Sequence, residues 1–392
     1  MSVPALRFKE FSGFWEEKKL GEIIQIVSGY PFSSELFAKE GKKLVIPKNF
    51  TQTGYGNFSN EYLKFTSEEC DKKYISNSGD LLLLLTDLNQ NCELLGKPLL
   101  LKIDDGEVLL NQRIIRIEND VTLNKVFLMN FFLTENYHKE IKKTASGTTV
   151  KHSSNKIITN LPLSFPSLPE QTKIANFLTS VDEKITLITQ KSDLLSQYKK
   201  GVMQQIYNQE LRFKDDDGQE FTEWKEKALG EVLDYEQPTK YLVSSTKYSN
   251  DFKTPVLTAG KTFILGYTDE TVGLCEQGLP VIIFDDFTTA FKFVPFSFKA
   301  KSSAMKILRK KDGVNINYIY SAMQQIDFQS GDEHKRYWIS EYSQINIPYP
   351  AIKEQAKIAN FLTAINEKIT NNHAQLNAVK QYKQGLLQQI FT

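Results

Sequence analysis

At 392 residues the chain exceeds one ordinary domain and suits two, with 41% hydrophobic residues to fill their cores. Its 48 basic side chains nearly cancel 47 acidic ones, so a net charge of +1 argues against a nonspecific polyanion binder but not against a locally segregated charged face. Cys70, Cys92 and Cys275 lie far apart with no CxxC pair, which argues against a zinc site or disulfide framework and fits a reducing cytoplasm. The strongest apolar run, Leu81–Leu85, falls far short of the roughly 18 residues of a membrane span, so a soluble, cytoplasmic protein is expected.

In chain order, LRFK at Leu6–Lys9 and a segment from Trp15 to Glu22 open a first variable region. β-like runs follow at Leu44–Ile46, Asp80–Leu85 and Val108–Ile117, then a helix near Leu123–Lys143. Ser146-Gly147 begins a polar, basic loop, Thr148–Lys156, and an apolar stretch leads into a long helix. LRFK then returns at Leu211–Lys214, and Trp224–Glu231 echoes Trp15–Glu22. The second region repeats the order with strands at Thr254–Leu257, Leu279–Phe284 and Ala304–Leu308, a helix near Ile316–Ile326, Ser330-Gly331, the loop Asp332–Ser340 and a second long helix.

The helices are duplicated. EQTKIANFLTSVDEKIT from Glu170 reappears as EQAKIANFLTAINEKIT from Glu354, and 20 of 38 positions match without a gap at an offset of 184, too many for two unrelated helices. The Trp…Gly-Glu segments are offset by 209, so the second region must be shorter by 25 residues within its variable part. Ile174, Leu178, Val181, Ile185, Ile188, Leu195, Val202 and Ile206 recur at spacings of three and four, as do Ile358, Leu362, Ile365, Ile369, Leu376, Val379, Leu386 and Ile390. This is a coiled-coil seam, with Ser192, Lys199, Asn372 and Lys383 as polar positions that weaken packing and help fix register. Prolines at 166, 169, 348 and 350 mark the helix entries. A helix over Ile174–Ile206 is about 50 Å long. Connectivity predicts antiparallel pairing, and the order of the repeats predicts that the two chain ends lie close together. The expected boundaries are 1–165 and 211–350 for two mixed domains, 166–210 and 351–392 for the helices.

The loops differ where the frame is shared. Asn111, Gln112 and Arg113 carry groups suited to bidentate base contacts, Arg to guanine and Asn or Gln to adenine. Thr148, Thr149, Lys151 and His152 form a polar, basic loop, and Lys301, Ser302, Ser303, Lys335, Arg336 and Tyr337 are the candidates in the second region. Two lysine-rich stretches, Lys139–Lys156 and Lys299–Lys311, could neutralise phosphates, although such runs are commonly only solvated faces. Catalytic signatures are missing: Gly260-Lys261-Thr262 has Pro255 where a phosphate loop needs glycine, and there is no GxGxxG, HExxH or base-flipping methyltransferase motif. No catalytic residue and no metal ligand is assigned. Asp285-Asp286 follows an apolar strand and is a weak candidate for metal.

The order LRFxxF…W…KKLGE, SGTTVKH…LPLSFPSLPEQTKIANFL, helix, and then a second such unit resembles the specificity subunit of type I restriction–modification systems over essentially the whole chain. The second region, with YEQPTKY, TPVLTAGKTFILGYT and VIIFDDFTTAFKFVPFSFKAKSSAMKIL, resembles a recurring target-recognition domain of that family. The resemblance implies an α+β protein: two mixed α/β target-recognition domains separated by two long antiparallel coiled-coil helices with pseudo-twofold symmetry. It implies a non-catalytic subunit that reads a bipartite, asymmetric site in double-stranded DNA, one domain per half. The helices would set the gap and dock two modification (adenine methyltransferase) subunits. S-adenosylmethionine would belong to those subunits, ATP and Mg to the restriction (translocase/nuclease) subunits, and no cofactor to this chain. The alternatives are a protein scaffold that does not bind DNA, and an unrecognised metal-dependent nuclease near Asp285-Asp286.

Overall fold

A computed structural model of the chain describes residues 3–119, 122–260, 262–328 and 336–391. The chain forms two compact units, Met1–Thr189 with Ala374–Thr392, and Gln190–His373. Each contains a variable region together with the start of one long helix and the end of the other. The helices span Leu168–Tyr207 and Ile352–Ile390, 40 and 39 residues. The first starts six residues before Ile174 because Pro169 sits in its first turn, where no amide partner is needed.

Within the first unit, the central four-stranded antiparallel sheet runs Ile24–Ser28, Ile114–Asn119, Leu81–Leu84, Pro98–Leu100. Leu81–Leu84 is apolar throughout because both of its faces are covered. Leu81 and Leu83 pack with Phe127, Phe132 and the long helices, while Leu82 and Leu84 pack with Val45, Phe50 and Leu99. The expected run Val108–Ile117 is broken at Asn111–Arg113: Val108–Leu110 belongs to a five-stranded sheet and Ile114–Asn119 to the four-stranded one. The expected helix near Leu123–Lys143 is two helices, Lys125–Phe132 and Glu135–Thr144, because Thr134 caps the second by accepting from the Tyr137 amide.

The second unit has the same sheet order: Leu233–Glu236, Met305–Lys310, Val281–Asp285, Phe291–Val294, again antiparallel. Ile282 and Phe284 face Tyr318, Trp338 and the long helices, whereas Val281 and Ile283 face Leu257, Phe298 and Ala300. Among the described residues its second-largest sheet has three strands, against a five-stranded sheet in the first unit, consistent with the 25 fewer residues that the repeat offsets require.

The seam behaves as the heptads predict inside each unit. In the first, Ile174, Leu178 and Val181 share a core with Leu386 and Ile390, so the start of one helix lies along the end of the other. In the second, Val202 and Ile206 share a core with Ile358, Leu362 and Ile365. Ile188 is also buried, while Ile185, Leu195, Ile369, Leu376 and Val379 are half-buried. The pairing is antiparallel in both.

The duplicated Glu-Gln pair has a physical role. Glu170 accepts Nε and Nη2 of Arg7, both at 2.7 Å, and Glu354 accepts the same atoms of Arg212 at 3.2 and 3.0 Å. Gln171 Oε1 receives the Asn124 amide and Gln355 Oε1 the Asn315 amide, at 2.9 and 3.0 Å, each at the N-cap of the next short helix. Four fully buried polar side chains therefore tie each LRFK segment and each short helix to a long helix. The repeats also explain the chain ends. The Leu211 amide donates to the Gln205 carbonyl at 3.1 Å, and the equivalent bond, Leu6 to Gln389, spans the two ends of the chain at 3.0 Å.

Candidate nucleic-acid interface

The sites singled out in the first region converge on one residue, Leu85, just past the buried strand Leu81–Leu84. Its amide donates to the Arg113 carbonyl at 2.8 Å, and its carbonyl accepts the Ser153 amide at 3.0 Å. The turn Asn111–Arg113 and the loop containing Lys151 and His152 are thereby fastened on either side of one backbone. The next two residues, Thr86 and Asp87, pair with His152 and Lys151 in a short antiparallel ladder. Gln112 and Arg113 are exposed, Asn111 is half-buried, and Arg113 has φ +70°, a left-handed conformation unusual for arginine. Gly29 permits the turn: a Cβ there would fall 2.0 Å from the Asn111 carbonyl oxygen.

The loop is held tightly as well. The Lys151 ammonium donates to the Gly147 carbonyl at 2.9 Å, Gln90 Nε2 to the Thr149 carbonyl at 3.0 Å, and Asn155 Nδ2 to Ser28 Oγ at 2.9 Å. Thr148 and Thr149 are exposed, and Lys151 and His152 half-buried. Sequence reasoning missed the loop Asp87–Leu94 that joins this group through Gln90. Its signal was the polar run Asn89-Gln90-Asn91 straight after an apolar strand.

The second unit repeats the junction bond for bond. The Asp286 amide donates to the Ala304 carbonyl at 3.4 Å, and the Asp286 carbonyl accepts the Tyr337 amide at 2.9 Å. Asp286, Ala304 and Tyr337 thus stand where Leu85, Arg113 and Ser153 stand in the first unit. Lys301, half-buried with its ammonium 5.8 Å from the Tyr248 ring centroid, and the exposed Ser302 and Ser303 occupy the turn equivalent to Asn111–Arg113. Arg336 is exposed and occupies the place of His152. Lys335, like Ser330-Gly331 and His334, lies outside the described residues.

Two expectations need correction, and the weak Asp285-Asp286 candidate finds a structural role. Tyr337 is 2% exposed and packs on Phe328, so its ring is core and does not offer itself to a ligand. The stretch Lys299–Lys311 is not an open basic face: strand pairing brings acids to it from distant segments. Lys299 pairs with Glu270 at 3.1 Å, Lys306 with Asp286 at 3.4 Å, Arg309 with Glu236 at 2.6 Å and Lys311 with Asp234 at 3.3 Å. Although burial opposes it, hydrogen bonds from the Ser244 hydroxyl, the Ser245 amide and Lys299 hold the Glu270 carboxyl down to about 2. Finally, Asp285 and Asp286 are structural. Asp285 Oδ1 accepts the Phe287 and Thr288 amides, while Asp286, 2% exposed, serves Lys306 and the Trp338 amide. Among the described residues no group of three or more His, Cys, Asp or Glu is placed to hold a metal ion. No described helix is long and apolar enough to cross a membrane.

The chain is similar to known proteins in sequence and in fold. The family model for the type I restriction modification DNA specificity domain matches residues 13–197 and 222–381. The chain is 50% identical over 158 residues, 38% of its length and 39% of the relative's, to the EcoR124I/EcoR124II specificity subunit of Escherichia coli. It is 28% identical over 207 residues, 51% of its length and 47% of the relative's, to the MjaVIII specificity subunit of Methanocaldococcus jannaschii. The matches thus span less than half of either relative. In fold, the chain resembles the crystal structure of a type I restriction–modification S subunit from M. genitalium, with a TM-score of 0.65, 15% identity and coverage of 100% and 99% of the two chains. With two matched segments that together take in most of its length, the chain belongs to the type I restriction modification DNA specificity family.

Proposed function

We propose that this chain is the sequence-reading, non-catalytic subunit of a type I restriction–modification complex, and that each unit reads one half of a bipartite, asymmetric duplex site. The observation that carries the reading is the repeated junction. Two units fix a turn and a loop by the same backbone bonds, at Leu85 and at Asp286, and present different side chains from them. A shared frame with unshared contents is what reading two different half-sites requires. In the first unit, Gln112 and Arg113 supply base-edge contacts and Lys151 a phosphate contact. In the second, Ser302, Ser303 and Arg336 take those roles.

The gap between half-sites is set by the paired helices, whose 40 and 39 residues correspond to about 60 Å of helix each. Modification subunits dock on those helices and bring S-adenosylmethionine to one adenine per half-site. Restriction subunits bring ATP and Mg to a translocating nuclease. The chain's own acids at positions 285 and 286 are used within the fold, in keeping with a subunit that does no chemistry itself.

The test is co-expression with a cognate modification subunit in a methylation-free host, followed by genome sequencing for modified adenines. One bipartite motif with a fixed gap and one methyladenine per half is expected, and exchanging residues 211–350 should change only one half. A stable complex that leaves the genome unmodified and binds no duplex would overturn the reading in favour of a protein scaffold.

A further inference from the structure

We infer that a cavity in the first unit, headed by Lys97, is a binding site for a small oxyanion of the phosphate class. The cavity measures about 400 Å³ and is lined by Lys97, His138, Asp182, Lys380, Lys383 and Gln384, among others. Lys97 is 6% exposed, and its backbone is fixed beside Leu84, whose amide donates to its carbonyl at 3.1 Å. Among the described residues no acid lies within ion-pair distance of its ammonium. Buried lysines are normally paired, because a buried charge without compensation is strongly disfavoured.

The neighbouring acids supply the missing charge only in part, Glu135 favouring the Lys97 ammonium from beyond ion-pair distance. Asp182 Oδ1 is taken by Lys383 at 2.6 Å, and Glu135 turns toward Lys139 at 3.8 Å with its side chain 55% exposed. His138 is neutral. Its Nε2 lies 2.7 Å from the Cys92 carbonyl, which can only accept, so Nε2 carries the proton. Burial, and next the charge of Lys97, bring the His138 pKa down to about 4. Burial, assisted by Lys142, likewise brings Lys97 down to about 8. Lys97, the exposed Lys380 and Nε2 of Gln384 supply donors to the cavity wall, which the carboxylates of Glu135 and Asp182 also line. An oxyanion accepts from several of these at once and gives Lys97 its counter-charge. The cavity beside the long helices in the second unit has Lys199 and Asn366 where the first has Lys383 and Asp182, and it has Phe293 and Tyr320 in its wall with no lysine equivalent to Lys97. Among the described residues the site belongs to the first unit.

Free phosphate and a DNA backbone phosphate present the same chemistry, so the test has two arms. The full chain in phosphate-free buffer is titrated with inorganic phosphate, then separately with a duplex, against sodium chloride of equal ionic strength. Thermal stability is followed together with pulse labelling of amines read by mass spectrometry at Lys97. The site predicts saturable protection of Lys97, with Lys142 unaffected, and a rise in Tm that Lys97→Met abolishes and Lys97→Arg retains. Protection by phosphate alone identifies the free ion as occupant; protection by duplex alone identifies a backbone phosphate. Equal labelling under phosphate, duplex and chloride overturns the proposal. So does an undiminished phosphate response in Lys97→Met, whose fold is checked by unchanged labelling at Lys142.

Discussion

In the second unit Glu354 holds both the Arg212 guanidinium and the indole Nε1 of Trp224, the latter at 2.9 Å. In the first, Glu170 holds Arg7, while Trp15, the counterpart of Trp224, is 1% exposed and its Nε1 has no hydrogen-bond partner among the described residues. A similar divergence occurs along the helices, where the Asp182–Lys383 pair of the first unit becomes Asn366 and Lys199 in the second. The backbone bonds at Leu85 and Asp286 are nevertheless the same. Backbone hydrogen bonds and buried apolar positions define the frame, and side-chain chemistry at equivalent points is free to differ.

The largest effect should come from Glu354→Ala, which strands a mostly buried guanidinium and an indole N–H and costs about 4 kcal/mol in denaturant unfolding. Glu170→Ala should cost about 1 kcal/mol less, because no indole depends on that carboxylate. Equal losses would mean that the Trp224 bond contributes nothing.

Asp182→Asn, which mimics the protonated acid, should not lower stability at neutral pH, and replacing the pair together by Asn and Met should be nearly neutral. Burial raises the Asp182 pKa, and the attraction of Lys383 only partly offsets this. Its ionisation therefore opposes folding. That penalty is absent below the ordinary aspartate pKa, grows as pH rises toward the raised folded value, and is fully present above it. Stability relative to the double variant should accordingly improve on acidification through that window. In the second unit, Asn366→Asp should pair with Lys199 and raise stability by about 0.5 kcal/mol.

Arg113→Ala and Arg336→Ala sharpen the comparison at the readers. Each should cost about 1–3 kcal/mol of discrimination, at one position of one half-site only, measured by methylation-site sequencing. If either variant relaxes both halves, the units do not read independently. The smallest change is expected for Lys151→Ala: weaker binding to every duplex and a salt slope lower by about 0.9.

Much of the fold was legible because duplication gives the same message twice. The seam residues from Ile174 to Ile206, and again from Ile358 to Ile390, repeat with helical periodicity, and period depends only on local sequence. The break of Val108–Ile117 at Arg113 was not legible, since it depends on Gly29 approaching the Asn111 carbonyl from 82 residues away. Nor was the neutralisation of Lys299–Lys311, whose acids at 234, 236, 270 and 286 arrive by strand pairing. Tyr337 looked like a reader because Arg336 precedes it, yet the α-helical turn Tyr337–Ser340 rotates its ring into the core.

The sequence by itself determined the repeat, the two long helices, their antiparallel course and the family, because periodicity and near-identity survive without any knowledge of contacts. Only the tertiary structure decided which charges are spent inside the fold, which loops meet at Leu85 and Asp286, and that Lys97 is buried with no ion pair among the described residues. Burial and ion pairing join residues distant in sequence, and no local pattern records them.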